Sequence, residues 1–184
     1  MHRATHEVNN ALNAVAMNLE VARLRAVPGA DAGWIAPFAA AAAESHEEVV
    51  AMVQALMALA RGPLDAAGDV REVAAQMVAV LAPGVRAKGG SLVLHGDGQP
   101  VRTIAPAAAV RLATAHLLDV TASDPTREWR CTVAAAPVPS LALVGVGTSD
   151  RVTSPATSPA TSPVLERAGV RPGPVAWSLA FPSP

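Results

Sequence analysis

Val8, Leu12, Val15 and Leu19 recur at spacings of four, three and four, the period of one helix face, and predict a helix from residue 4 to about residue 27. Val27, Pro28 and Gly29 close it, since proline cannot continue a helix and glycine suits its end. A second helical pattern runs from about Ala32 to Arg61. Phe38, Val49, Met52, Val53, Leu56 and Leu59 lie on one side of it, and Glu44, His46, Glu47 and Glu48 fall mostly off that side. Pro37 stands near the first turn, where proline is tolerated. Two long helices joined by a short turn predict an antiparallel hairpin whose apolar stripe is half exposed in isolation. The simplest cover is a second copy, which makes a homodimeric four-helix bundle.

Gly62, Pro63, Ala67 and Gly68 break the helical texture, and the pattern then alternates between helix and strand. A helix is expected from about Asp69 to Ala87, carrying Val70, Val73, Met77, Val80 and Leu81 and stopped by Gly89 and Gly90. SLVLHGD and PVRTIA read as short strands, Pro106 to about Thr121 as a helix, and REWRCTVAAA, SLALVGVG and PVAWSLAFP as further strands. The expected fold class is α+β, with a hairpin domain over 1–62 and a mixed domain over 63–184. TSPATSPATSP, residues 153–163, places proline at every fourth position. That spacing forbids helix or ladder and predicts a tether over about 151–163.

Composition narrows the partners. A net charge of −1 with 16% charged residues gives no broad cationic field, so a nucleic-acid surface is not expected. Cys131 is the one cysteine, which excludes an intrachain disulfide framework and a multi-cysteine zinc site and fits a reducing compartment, taken as the cytoplasm. The most apolar run, WIAPFAAAAA, is about half the length that crosses a bilayer, and no secretory signal is read at Met1, so no membrane partner is expected. Aromatic residues are 3% and tyrosine is absent, so the core must come from Ala, Val and Leu.

The first ten residues gather chemistry that the rest of the chain lacks. With about 100° per residue, Asn10, Asn13 and Met17 fall within about 40° of His6, while the apolar stripe takes the far side. An imidazole in water is substantially neutral at cell pH and attacks through a ring nitrogen. Glu7 is adjacent, a candidate to orient the ring or take up its proton. Asn10 is one turn along, where its amide can position a phosphoryl oxygen or a water.

HEVNNALNAVAMNLEVAR, residues 6–23, resembles the phosphoacceptor box of sensor histidine kinases. That box carries a phosphoacceptor histidine, an acidic residue directly after it and a Thr or Asn four residues on, often within H-E-hydrophobic-N-N-P-L-N. His6, Glu7, Asn10, Leu12 and Asn13 fill those places. Ala11 stands where the family usually has proline, which implies a straighter helix. Five residues precede His6, so the long N-terminal half of the kinase helix and its sensor input are expected to be missing. LDAAGDV to ATAHLL, residues 64–118, is similar to the opening half of the kinases' ATP-binding domain. The match then departs where nucleotide chemistry belongs. The asparagine of the magnesium-binding helix aligns with about Val120, and the Asp-x-Gly-x-Gly that reads adenine has become GVGTSD, a weak phosphate-loop signal. The tether replaces the glycine-rich lid. A phosphoacceptor box on a dimerising hairpin, beside a degenerate kinase-type ATP-binding α/β sandwich, resembles the kinase-derived histidine phosphotransferases of phosphorelays. The resemblance implies response-regulator receiver domains as partners, His6, Glu7 and Asn10 as catalytic residues, and no cofactor in this chain, magnesium being held by the receiver.

The remaining candidates read as structure. His46 lies in an acidic solvated face without a second ligand at helical spacing, His2 belongs to a fraying terminus, and His95 is expected in a turn. His116 is expected as a satisfied core histidine, and Cys131 alternates with Trp129 and Val133 as strand packing. Trp34 is expected to cover the bundle end, and Arg3 reads as solvated. Three functions remain open: the phosphotransferase; a pseudokinase that binds or dephosphorylates a receiver through Glu7 and Asn10; and a kinase with a divergent nucleotide pocket. A non-catalytic dimerisation module has no need of His6, Glu7 and Asn10 together.

Overall fold

The computed structural model describes residues 2–27, 31–61, 65–122, 124–146, 166–169, 171–172 and 178–184. Helix α1 (His2–Arg25) and helix α2 (Ala32–Arg61) form the expected hairpin. Strand β1 (Ala67–Asp69) then leads into helix α3 (Val70–Arg86), followed by β2 (Ser91–His95), β3 (Arg102–Pro106), helix α4 (Ala107–Asp119) and a 3-10 turn over Val120–Ala122. Strands β4 (Glu128–Ala134), β5 (Ser140–Val146), β6 (Arg171–Pro172) and β7 (Ser178–Ala180) complete a mixed α+β chain. The domain boundary expected at 62/63 and the TSPATSPATSP tether lie outside the described residues.

Five strands make one sheet in the order β2-β4-β5-β7-β6, with β2 and β4 parallel and the rest antiparallel. A two-stranded antiparallel ribbon joins β1 to β3. Strand β4 shows why one sheet face is inside: Trp129, Cys131 and Val133 are buried, and Glu128, Arg130 and Thr132 between them are exposed. Helices α3 and α4 supply the other half of that core through Val73, Val85, Val110, Leu117 and Leu118. The result is a two-layer arrangement, helices on one side of the sheet and water on the other. The chain end is part of it: Phe181 is buried, its N–H donates to the Pro139 carbonyl at 2.8 Å, and the Thr103 hydroxyl donates to the Pro182 carbonyl at 2.6 Å.

Helix α3 starts where its cap dictates. The Asp69 carboxylate accepts from the N–H groups of Arg71 at 2.9 Å, Glu72 at 3.1 Å and Val101 at 3.3 Å, capping the helix and tying it to the segment before β3. Ala67 and Gly68, read from sequence as a break, are strand β1, because the break residues still pair with β3. Pro37 and Pro83 both lie inside helices without ending them.

The hairpin differs from expectation in which side of α1 is covered. Val8 and Val15 of the apolar stripe are half-buried, but Leu12 and Leu19 are exposed. The covered side of α1 is instead the one bearing Glu7, Ala11, Ala14 and Asn18, rotated from the apolar stripe because small residues let α2 approach closely. On α2, Ala42, Val49, Met52 and Ala55 are buried, and Val50, Val53 and Met57 are exposed. Apolar side chains of both helices are therefore open in the single chain.

Candidate functional site

Helix α3 does more than roof the sheet: it packs against α2 along its length and touches α1 near the N-terminal end of the hairpin. Arg86, in its last turn, pairs with Glu48 of α2. Gly84, two residues earlier, faces Glu7 of α1, and a methyl group built there would overlap both carboxylate oxygens and the carboxyl carbon, so the flexible Glu7 side chain would have to shift. Facing Gly84, Glu7 is 7% exposed.

The two sides of α1 are thus unlike. His6 and Asn10 stand exposed on one stripe together with Asn13 and Met17, the last 69% exposed. Glu7 does not share that stripe. Successive helical residues diverge by about 100°, so side chains at i and i+1 do not face each other, and the Glu7 direction is the one α3 closes. The single solvent-facing patch expected from sequence therefore reduces to His6 and Asn10. For Glu7 to orient the imidazole, as expected from sequence, it would have to leave the Gly84 contact.

Two residues matched above to the kinases' nucleotide motifs, Gly145 and Val120, are described, and both stand in packed surroundings. Gly145 of the GVGTSD stretch lies inside β5, opposite Trp129, and residues 147–150 lie outside the described residues. The Arg127 guanidinium occupies the space over Gly145, donating from Nη2 to its carbonyl at 3.2 Å and lying 5.4 Å from the Trp129 ring centre. Val120 is a half-buried apolar residue in the turn after α4.

The other candidates fall into place. Cys131 is fully buried in the core, and burial pushes its thiol up to about 12. His116 is exposed, contrary to the core position expected of it, because α4 buries Ala113, Thr114, Leu117 and Leu118 and turns residues 115 and 116 to water. His95 is the exposed last residue of β2, and His46 is exposed on α2. Trp34 is 68% exposed and does not cap the hairpin in the single chain; with Arg25, Val27 and Asp31 it lines an open cleft at the hairpin turn. That cleft is roughly 28 Å along α1 from His6 at about 1.5 Å per residue, too far to share its chemistry. Among the described residues no three His, Cys, Asp or Glu side chains gather as a metal site. Among the same residues no helix is long and apolar enough to cross a membrane.

The buried Glu7 is the feature sequence reasoning missed; its signal was the helical angle, which sets Glu7 about 100° from His6 and beside the small residues Ala11 and Ala14. The chain matches no protein-family model and no curated protein.

Proposed function

We propose that the chain is a histidine phosphotransferase of a phosphorelay, passing a phosphoryl group between response-regulator receiver domains through His6 without binding ATP. The observation that carries this reading is the exposed His6–Asn10–Asn13–Met17 stripe on a helix whose opposite flank is held by α2 and α3. A receiver domain, far larger than a metabolite, needs a convex and unobstructed helix face, and that stripe supplies one. Met17 offers an apolar contact two turns beyond the site, and Asn13 a neutral hydrogen-bonding group between them.

In the transfer a neutral His6 ring nitrogen attacks the phosphorus of the receiver's aspartyl phosphate in line. The N–P bond forms as the acyl O–P bond breaks, and the aspartate leaves as a carboxylate. Magnesium in the receiver's own acidic pocket offsets the charge, and the Asn10 amide donates to an equatorial phosphoryl oxygen. The reverse sequence delivers the group to a second receiver. The C-terminal region then serves as a degenerate kinase-type ATP-binding domain, kept for docking and not for nucleotide: an apolar Val120 and an Arg127-filled Gly145 support this. The exposed side chains of Leu12, Leu19, Val50, Val53 and Met57 support a homodimer through a four-helix bundle.

Intact-mass spectrometry after mixing with pre-phosphorylated receivers, without ATP, tests the proposal beside a His6→Ala control. A gain of one phosphoryl group that is absent from His6→Ala is the expected result. Receivers that bind or lose phosphate while the chain gains no mass would replace transfer by the pseudokinase reading.

A further inference from the structure

The five-stranded sheet and the β1–β3 ribbon share one layer of helices, and no ladder pairs the two among the described residues. Both of those helices start from the ribbon, α3 directly after β1 and α4 directly after β3. Where the ribbon sits therefore decides where both helices begin. The last residues of the chain reach from one sheet to the other. Leu179 of β7 pairs with Leu141 of β5, and the Phe181 N–H carries that pairing on to the Pro139 carbonyl at 2.8 Å. One residue later the Pro182 carbonyl serves β3, accepting from the Thr103 hydroxyl at 2.6 Å and from the Ile104 N–H at 3.4 Å. Adjacent residues thus hold opposite sides, Phe181 the sheet and Pro182 the ribbon.

Both holds are buried. Phe181 is 1% exposed in the core that α3, α4 and the sheet enclose, and it is the largest fully buried side chain among the described residues. Thr103 is also 1% exposed, so its hydroxyl has no water to turn to and would be an unsatisfied donor without the Pro182 carbonyl. The proline ring lies against the turn at Gly169, where φ is +76° and a Cβ would stand 3.3 Å from it.

We propose that Phe181 and Pro182 form a strap that fastens the β1–β3 ribbon, and with it the first turns of α3 and α4, to the five-stranded sheet. Phe181 is the anchor in the core, and the Pro182 carbonyl is the clip on β3. Closed, the strap fixes the two helix starts over the sheet. Released, it leaves the β4–β5 ladder intact, because that pairing does not run through the chain end, while β3 loses its hold on the sheet side. The strap stands on packing and hydrogen bonds alone and is independent of the phosphotransfer reading.

Hydrogen exchange on the full chain tests it, comparing residues 67–72 and 101–108 with the β4 and β5 strands in three variants. Thr103→Val keeps the branched shape and removes the donor, and Thr103→Ser keeps the hydroxyl. That hydroxyl also accepts from the Ala105 N–H at 3.1 Å, so Phe181→Ala, which leaves this bond in place, is the independent arm. The strap predicts exchange about fivefold faster over 67–72 and 101–108 with Thr103→Val, and parent-like exchange with Thr103→Ser. Phe181→Ala is expected to accelerate the same segments at least about tenfold more than β4 and β5. Parent-like exchange in Thr103→Val overturns the strap. So does an equal rise in all segments of Phe181→Ala, which would reduce that side chain to core filling.

Discussion

Replacing Leu12 and Leu19 together by glutamine tests whether the open apolar side of α1 is a dimer face. The two side chains are 47% and 54% exposed, so the fold already covers about half of each and leaves about half for a partner. Full burial of a leucine is worth about 1.5–3 kcal/mol, so the uncovered half of each contributes about 0.8–1.5 kcal/mol when a second copy closes over it. A two-fold dimer presents each residue twice, which makes about 3–6 kcal/mol, or roughly 10²–10⁴ in the dissociation constant at about 1.4 kcal/mol per tenfold. Glutamine has nearly the helix propensity of leucine, so the hairpin itself should be little affected. Sedimentation equilibrium across a concentration series, with circular dichroism on the same samples, reads both quantities. The expected outcome is a dimer weakened within that range at unchanged helical signal. A double variant that dimerises as tightly as the parent refutes the reasoning, and so does a parent that stays monomeric at every concentration.

The other expectations concern the site and the core. His6→Ala abolishes phosphoryl gain from every receiver that phosphorylates the parent, with the mass spectrum as readout. Asp69→Ala removes the acceptor for three N–H groups and lowers stability by about 1–2 kcal/mol in thermal unfolding; a change within error would mean that water replaces the cap fully. Cys131, with its thiol pushed from 9.0 up to about 12 by burial, resists alkylation in the native chain and reacts once denatured. Because the folded state holds that proton more tightly, stability is unaffected by this group below about pH 9 and falls as pH rises from there towards about 12, which denaturant titrations at several alkaline pH values measure.

Much of the local structure was legible before any coordinates. The hairpin's two helices, the start of α3 behind Asp69, the α4 helix and the strands β4 and β5 all follow from spacing, caps and alternation, signals that act within a few residues. Strands β1 and β6 were not legible, at three and two residues, because pairing with a distant strand makes them and no local pattern precedes it. His116 was misplaced for a related reason. The composition of α4 is apolar nearly all round, so the period alone does not say which residues meet the sheet and which meet water.

The sequence by itself determined that α1 carries His6 and Asn10 one turn apart on one face, since 3.6 residues per turn leave no alternative once the segment is helical. It also determined a core of Val, Leu and Ala and a single cysteine. Tertiary structure decided where Glu7 points in effect: covalent neighbours on a helix diverge, and only the arrival of α3, about 77 residues later in the chain, turns that divergence into burial against Gly84. It decided, too, that the covered side of α1 is not its most apolar one. Close approach of small residues won that side, leaving Leu12 and Leu19 exposed.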